Sequence, residues 1–184
     1  TMTLGAANAL WDENPEQARR ELESANQLSR QAQSELSALI HTLRPVELKD
    51  QGLVEAMREH ITAWEKRSKI PTIFQVEGRG SIPKESEQAL FRIPQEALSN
   101  INKHSHATAA SVILHFNTNK LIMEISDNGR GFDNAQEHKG MGLHSMRERI
   151  QAEGGQMEIV SSKNNGTRLI FSMPYQANKE NTND

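Results

Sequence analysis

The chain has 184 residues, a formal net charge of −3, 4% aromatic residues and no cysteine. Lack of cysteine excludes a disulfide framework, a thiolate metal site and a catalytic thiol, and the near-neutral balance argues against the basic face that a nucleic-acid partner needs. No run of about 18 apolar residues occurs, and no signal-peptide pattern is present, so no direct membrane contact is expected from this stretch.

The first residues, TMTLGAANAL, are apolar, helix-favouring and lack a start methionine. They read as the end of a helix, and the sequence is expected to be a piece of a longer protein. Asp12-Glu13-Asn14-Pro15 breaks that helix, with Asn14 as N-cap and Pro15 at the first position of the next. From there to Arg44, Leu22, Ala25, Ser29, Ala32, Leu36, Leu39 and Leu43 alternate in steps of three and four, a coiled-coil seam over three heptads. Leu28 and Ile40 widen the stripe. A helix of about 30 residues, roughly 45 Å long, cannot bury such a seam on a short stub. A hairpin that dimerises into a four-helix bundle buries it, so a homodimer is expected.

Pro45 disfavours helix at the residue before it, which sets the domain boundary near residues 45–50. Residues 1–47 are expected as part of the helical hairpin, 48–175 as a second domain and 176–184 as a disordered polar tail. In the second domain a helix is expected over about 53–67, with Leu53, Ala56, Met57, His60, Ile61 and Trp64 on one side. A strand follows over 70–76, with Ile70, Thr72, Phe74 and Val76 on one face. Pro83 opens a helix that runs to about residue 104. Strands 111–116 and 121–126 flank an NTNK turn, helix 143–153 closes at Gly154-Gly155, and strands 157–161 and 167–173 form a hairpin across KNNG. Helices and mostly antiparallel strands in the order α, β, α, β, β, α, β, β make a two-layer α/β sandwich of the α+β class. There is no strand–GxxxxGK[ST]–helix and no GxGxxG after the first strand, which excludes P-loop and dinucleotide-binding Rossmann readings.

Chemistry gathers in one region. Glu96, Asn100, Lys103 and His104 fall at i, i+4, i+7 and i+8 of a helix, one polar stripe opposite Leu90, Ile93, Ala97 and Ile101, with Leu98 at its border. By itself the stripe reads equally well as a solvated face. Asp127-Asn128-Gly129-Arg130-Gly131 then leaves a strand, and Gly140-Met141-Gly142 opens a helix. Glycines let a backbone approach a ligand closely, and the free N–H groups of a helix start suit phosphates. A carboxylate at a strand end can accept a hydrogen bond from an exocyclic amine. An Asn carbonyl is a hard oxygen ligand for Mg²⁺, and a lysine nearby neutralises phosphate. Each glycine turn taken singly reads as a tight hairpin; two of them after such a stripe do not.

These segments resemble the N, G1 and G2 boxes of the ATP-binding fold shared by sensor histidine kinases, gyrase-type topoisomerases, mismatch-repair ATPases and the ninety-kilodalton chaperone. RIPQEALSNINKHSHA, DNGRGF and GMGLHSMRERIQAEGG are closest in form to two-component sensor histidine kinases that partner NarL-type response regulators, as is LIHTLRPVELKDQGLVEAM at the domain junction. The resemblance spans about residue 15 to Pro174. It implies ATP and Mg²⁺ as cofactors, with Asn100 the Mg²⁺ ligand and Glu96 supporting the metal's water shell. It implies Lys103 and His104 against the phosphates or ribose, and Asp127 on the adenine amine. Gly129 and Gly131 would shape that pocket, and Thr167 would lie near adenine. Gly140 and Gly142, with Leu143 beside them, would form the turn that lets the lid 133–139 close. A cytoplasmic location is implied for this part and a bacterial membrane anchor for the full-length protein.

The sequence departs from the family in its histidines. The family phosphorylates a histidine in an RELHD-like box on the first bundle helix, and none of the seven histidines sits in one. His60 follows Arg58-Glu59 but lies on the apolar side of a helix in the second domain. His41 has no acidic neighbour. His104 and His106 form an HxH without a third metal ligand, which favours a helix-end cap over zinc. His115, His138 and His144 read as surface or loop residues. The acceptor box is expected upstream of Thr1, so this chain is expected to bind nucleotide without autophosphorylating. The rival readings are an ATP-driven conformational ATPase, with Glu96 as hydrolytic base, and an anti-sigma serine kinase of the same fold.

Overall fold

The computed structural model describes residues 14–26, 28–29, 52–80, 82–133 and 141–175. The chain divides into two compact units, Thr1–Glu47 and Leu48–Asp184. In the first, helix α1 (residues 15–26) starts as its capping residues dictate. Asn14 Oδ1 accepts the Gln17 amide at 3.2 Å and the Asn14 carbonyl accepts the Ala18 amide at 3.0 Å, the two bonds of an N-cap. Ala18 is buried and Leu22 and Ala25 are half-buried, while Leu28 is 56% exposed. Ala32, Leu36, Leu39, Ile40, His41, Leu43 and Pro45 lie outside the described residues, as do residues 2–11 and the tail 176–184.

The second unit runs α2 (Gly52–Ser68), β1 (Thr72–Glu77), α3 (Lys84–Asn100), a π-turn (Ile101–Ser105), β2 (Ala110–Asn117), β3 (Lys120–Asp127), α4 (Met141–Ala152), β4 (Gln156–Ser161) and β5 (Thr167–Pro174). This is the order the periodicity predicts. The strands form one sheet in the order β1-β2-β3-β5-β4. Only β1 and β2 run parallel; the other neighbours are antiparallel. Because side chains alternate along a strand, one face of the sheet is apolar and covered by the helices. Val112, Leu114, Leu121, Met123, Ile125, Leu169, Phe171 and Met173 are all buried on it. Against them pack Leu53, Met57, Ile61 and Trp64 of α2, Leu90, Ile93, Ala97 and Leu98 of α3, and Met146 and Ile150 of α4. Each Val, Leu, Ile, Met or Phe among them, fully buried, stabilises the fold by roughly 1.5–3 kcal/mol.

The differences from expectation are local. The first strand begins at Thr72 rather than Ile70, because Lys69 takes a left-handed φ of 60° and Pro71 intervenes. The α-helical part of α3 stops at Asn100 rather than near 104, and its last residues widen into the π-turn. Leu98, read as a border residue, is fully buried. Helix α4 ends as its glycines require: Gly154 has φ +71°, and the Gly154 and Gly155 amides cap the Gln151 and Ile150 carbonyls at 2.9 and 2.8 Å.

Candidate functional site

The site begins with a register. Ala110, Asp127, Thr167 and Ser161 stand side by side across β2, β3, β5 and β4, at the end of the sheet face that carries Ile125 and Leu169. By alternation, Asp127 projects on the core side of the sheet, where the apolar rows stop. Burial holds its carboxyl above the usual carboxylate range, opposed by a hydrogen bond that Oδ1 accepts from the Gly129 amide at 2.8 Å. Beside it, Thr167 Oγ1 and Ser161 Oγ are 3.1 Å apart. Ser161 also donates to the Gly166 carbonyl at 2.9 Å and accepts the Phe132 amide at 3.0 Å.

The glycine loop that leaves Asp127 is bound on two sides. Toward the helices, the Arg130 amide donates to the Ser105 carbonyl at 2.8 Å. Toward the β4–β5 turn, the Gly166 amide donates to the Gly129 carbonyl at 2.8 Å and the Asn164 amide to the Arg130 carbonyl. A β-carbon on Gly129 would strike the Ser105 carbonyl, and Gly131, at φ +55°, would strike the Ser162 carbonyl. Asn128 is not among the cavity residues; its Oδ1 clasps the Thr108 and Ala109 amides at 2.9 and 3.0 Å.

Opposite this loop are the end of α3 and the start of α4. A β-carbon on Gly142 would run into Glu96 Oε1 and lie 3.0 Å from Asn100 Nδ2. Glu96 and Asn100, one turn apart, therefore converge on the first turn of α4. A cavity of about 440 Å³ separates the two walls, and Asn100, His104, Asp127, Gly131, Gly142, Leu143 and Thr167 all line it. Glu96 stands behind Asn100 at the Gly142 contact, and Gly129 supports the loop from beneath without lining the cavity.

Lys103 is different. It is exposed and is not among the cavity residues. The π-turn is the cause: a turn closed by bonds to the residue five back holds more residues than an α turn. It carries His104 into line with Asn100 and swings Lys103 away. Instead, the basic side chain on the wall is Arg130, which sequence reasoning passed over, as it did Ser105 and Ser161. Gly140 and residues 134–139 lie outside the described residues.

The remaining histidines have local roles. His60 packs edge-on to Phe91 with ring centroids 5.6 Å apart, and its pKa is lowered by burial and then by Arg67. His106 closes the π-turn in the left-handed conformation, His115 pairs with Glu77 at 2.8 Å and His144 with Glu148 at 3.2 Å. His41 and His138 lie outside the described residues. Among the described residues no cluster of three metal-ligating side chains occurs. A second cleft is bordered by His60, Trp64 and Arg67 of α2 on one side and by Gln95 and Ser99 of α3 with Asn102 of the π-turn on the other.

Chemically, the main cavity offers a hydrogen-bond acceptor at its strand end and hard oxygens beside a helix start at the other. That suits a ligand with a donor edge and an anionic tail. Comparison with known proteins agrees with this geometry. Residues 85–177 match the family described as histidine kinase-, DNA gyrase B-, and HSP90-like ATPase. The chain belongs to that family. Residues 1–48 match a second family, described as histidine kinase.

Among curated proteins, the chain is 33% identical over 165 residues to the signal transduction histidine-protein kinase/phosphatase DegS of Brevibacillus brevis, covering 89% of this chain and 43% of that one. It is 36% identical over 155 residues to the sensor histidine kinase LiaS of Bacillus subtilis, covering 84% and 43%. The chain thus spans less than half the length of these relatives. Among solved structures, the histidine kinase domain of the Erythrobacter litoralis EL346 blue-light activated kinase aligns with a TM-score of 0.55 at 17% identity, covering 67% of this chain and 61% of that one. The catalytic domain of histidine kinase ThkA aligns at 0.53 and 17%, covering 67% and 90%. At those identities the likeness establishes the fold. No helix among the described residues is long and apolar enough to cross a membrane.

Proposed function

We propose that the chain is the nucleotide-binding part of a two-component sensor histidine kinase, which holds Mg-ATP in the cavity between β3, β5, α3 and α4. It donates the γ-phosphoryl group to a histidine on a bundle helix, for relay to an aspartate of a NarL-type response regulator. The observation that carries this reading is the convergence of Asp127 and Thr167 with Asn100 and Gly142 on one cavity. Two strand ends, a helix end and a helix start are brought to the dimensions of a single nucleotide. Asp127 takes the exocyclic amine of adenine, and its partial burial strengthens that bond because fewer waters compete for the carboxylate. Thr167, paired with it in register, supports the same edge of the base. His104 faces the sugar and phosphates.

The donor set fits Mg²⁺. Asn100 and Glu96 are neighbouring oxygen donors, and a magnesium ion keeps most of its waters and is held by one or two such groups and the phosphates. When bound, the ion supplies charge neutralisation to the β- and γ-phosphates. What this chain supplies is position: phosphoryl transfer asks little covalent work of the protein. The resemblance to sensor kinases over residues 1–48 and the heptad seam support a homodimer through the helical hairpin. None of the seven histidines lies in an acceptor box, so the chain binds nucleotide without phosphorylating itself.

Calorimetry with Mg-ADP tests the reading. Saturable heat is expected for the unmodified chain, with an affinity about ten- to a hundred-fold weaker for Asp127→Asn; equal, null heats for both would leave only a scaffold. Radiolabelled ATP should give no acid-labile phosphoprotein. Steady-state ATP hydrolysis lost in Glu96→Ala would instead favour an ATPase switch.

A further inference from the structure

The π-turn at the end of α3 has a lock. In an α-helix the Ser105 amide would bond the Ile101 carbonyl, four residues back. Across Ile101–Ser105 the turn is π, and its amides reach one residue further. The Ile101 carbonyl then takes the amide five residues on, that of His106, and the Ser105 side chain adds a second bond to it: Oγ donates to the Ile101 carbonyl at 2.8 Å. The same oxygen accepts the Ala107 amide at 3.0 Å, which fixes the exit from the turn just after the left-handed His106. Ser105 is at the buried edge of the domain's polar residues, 9% exposed.

Its backbone does the rest. The Ser105 carbonyl accepts the Arg130 amide at 2.8 Å and abuts Gly129 so closely that no β-carbon fits there. Gly129 in turn donates to Asp127. One residue thus joins the helix that carries Asn100 and His104 to the loop that leaves Asp127. Were the turn to relax to α, the Ser105 amide would replace that of His106 on the Ile101 carbonyl. The Ser105 carbonyl would rotate off Arg130, and His104 would turn from the cavity it now lines.

We propose that Ser105 is a positioning residue for nucleotide binding, whose hydroxyl holds the π-turn and whose carbonyl sets the glycine loop against the end of α3. This rests on the reading of the cavity as a nucleotide site. Ser105→Ala removes the hydroxyl that bridges the Ile101 carbonyl to the exit of the turn and leaves the Ala107 amide without its partner. Ser105→Thr keeps an oxygen able to bond the carbonyl four residues back.

The test measures Mg-ADP binding by calorimetry on the whole chain, beside amide hydrogen exchange by NMR. Ser105→Ala is expected to weaken Mg-ADP about ten- to a hundred-fold, the range that an unmade buried hydrogen bond spans, and Ser105→Thr to stay within about threefold of the unmodified chain. Exchange at the Arg130 amide should lose protection in Ser105→Ala, while the Gly166 amide, bonded on the other side of the loop, keeps it. Uniform loss at both amides would mean general destabilisation and overturn the proposal, as would unchanged affinity in Ser105→Ala. Should Ser105→Ala not fold, Ser105→Cys, with a weaker donor, is measured in its place under the same criteria. Absence of Mg-ADP binding in the unmodified chain would sink the nucleotide reading itself, a separate outcome.

Discussion

The two ends of the cavity are built in different ways. At the strand end, Asp127, the glycine loop, Ser161 and Gly166 are tied by backbone and hydroxyl hydrogen bonds, all near 3 Å, before any ligand arrives. At the helix end, the side chains of Glu96, Asn100 and His104 have no hydrogen-bond or ion-pair partner among the described residues. Glu96 and Asn100 only crowd the start of α4. One end is a rigid mould whose cost is carried by the fold, and the other is a set of open donors and acceptors that a charged ligand completes. A site assembled this way should select the base by shape and hold the phosphates by charge.

The glycines separate the two ends with the largest effects. Gly129→Ala drives a β-carbon into the Ser105 carbonyl, backbone that cannot move without parting the loop from α3. Loss of Mg-ADP and of adenosine binding is expected together, by more than about a hundredfold, with a fall in melting temperature. Gly142→Ala meets only the ends of two side chains. It should weaken Mg-ADP by about tenfold and leave adenosine and the melting temperature nearly unchanged. If both variants lost both ligands alike, the distinction between the ends would fail.

Asp127→Asn comes next. Its carboxyl is raised by burial, so the folded state holds a proton that the unfolded chain releases sooner. Such a group stabilises the fold below its ordinary value of 3.8, and that contribution is lost as pH rises through the raised value. At pH 7 the ligand-free protein therefore carries a partly desolvated charge. Asp127→Asn should lose about ten- to a hundred-fold in nucleotide affinity yet melt slightly higher than the unmodified chain at pH 7, by roughly 1–3 °C. The two melting curves should merge below about pH 3. A lower melting point for the variant at pH 7 would show that the carboxylate is structural.

Asn100→Ala sharpens the other end. The tenfold or so loss expected for Mg-ADP should shrink when the metal is chelated, and adenosine should bind as before. The smallest effect belongs to His60. Burial and Arg67 lower its pKa, so its neutral form contributes stability that is present above its ordinary value of 6.5 and lost as pH falls through the lowered one. A rise in melting temperature with pH through that window, absent in His60→Phe, is expected without change in nucleotide affinity near neutrality.

The same contrast explains what could be read from the chain. Helix spacing holds as far as Asn100, so the Glu96–Asn100 pair and the apolar face behind it were legible from the 3.6-residue period. Beyond Asn100 the register changes, and nothing in INKHS marks a π-turn. A helical wheel carried through to residue 104 therefore keeps Lys103 on the stripe, whereas the structure leaves it in solvent and brings Arg130 to the wall. The strands were legible by alternation, but their order was not. Ser161 joins Asp127 and Thr167 only through the β3-β5-β4 register, a long-range pairing that no local pattern encodes. Asn128 was illegible for the same reason: the Thr108 and Ala109 amides that it binds lie some 20 residues away.

The central claim is that one nucleotide spans both ends of the cavity. Amide chemical shifts titrated with adenosine and then with Mg-ADP address it most directly. Adenosine should move Asp127, Gly131 and Thr167 and leave the start of α4 still; Mg-ADP should add Asn100, Gly142 and Leu143. Shifts confined to the cleft between α2 and α3, or none at the strand end with either ligand, would contradict the account.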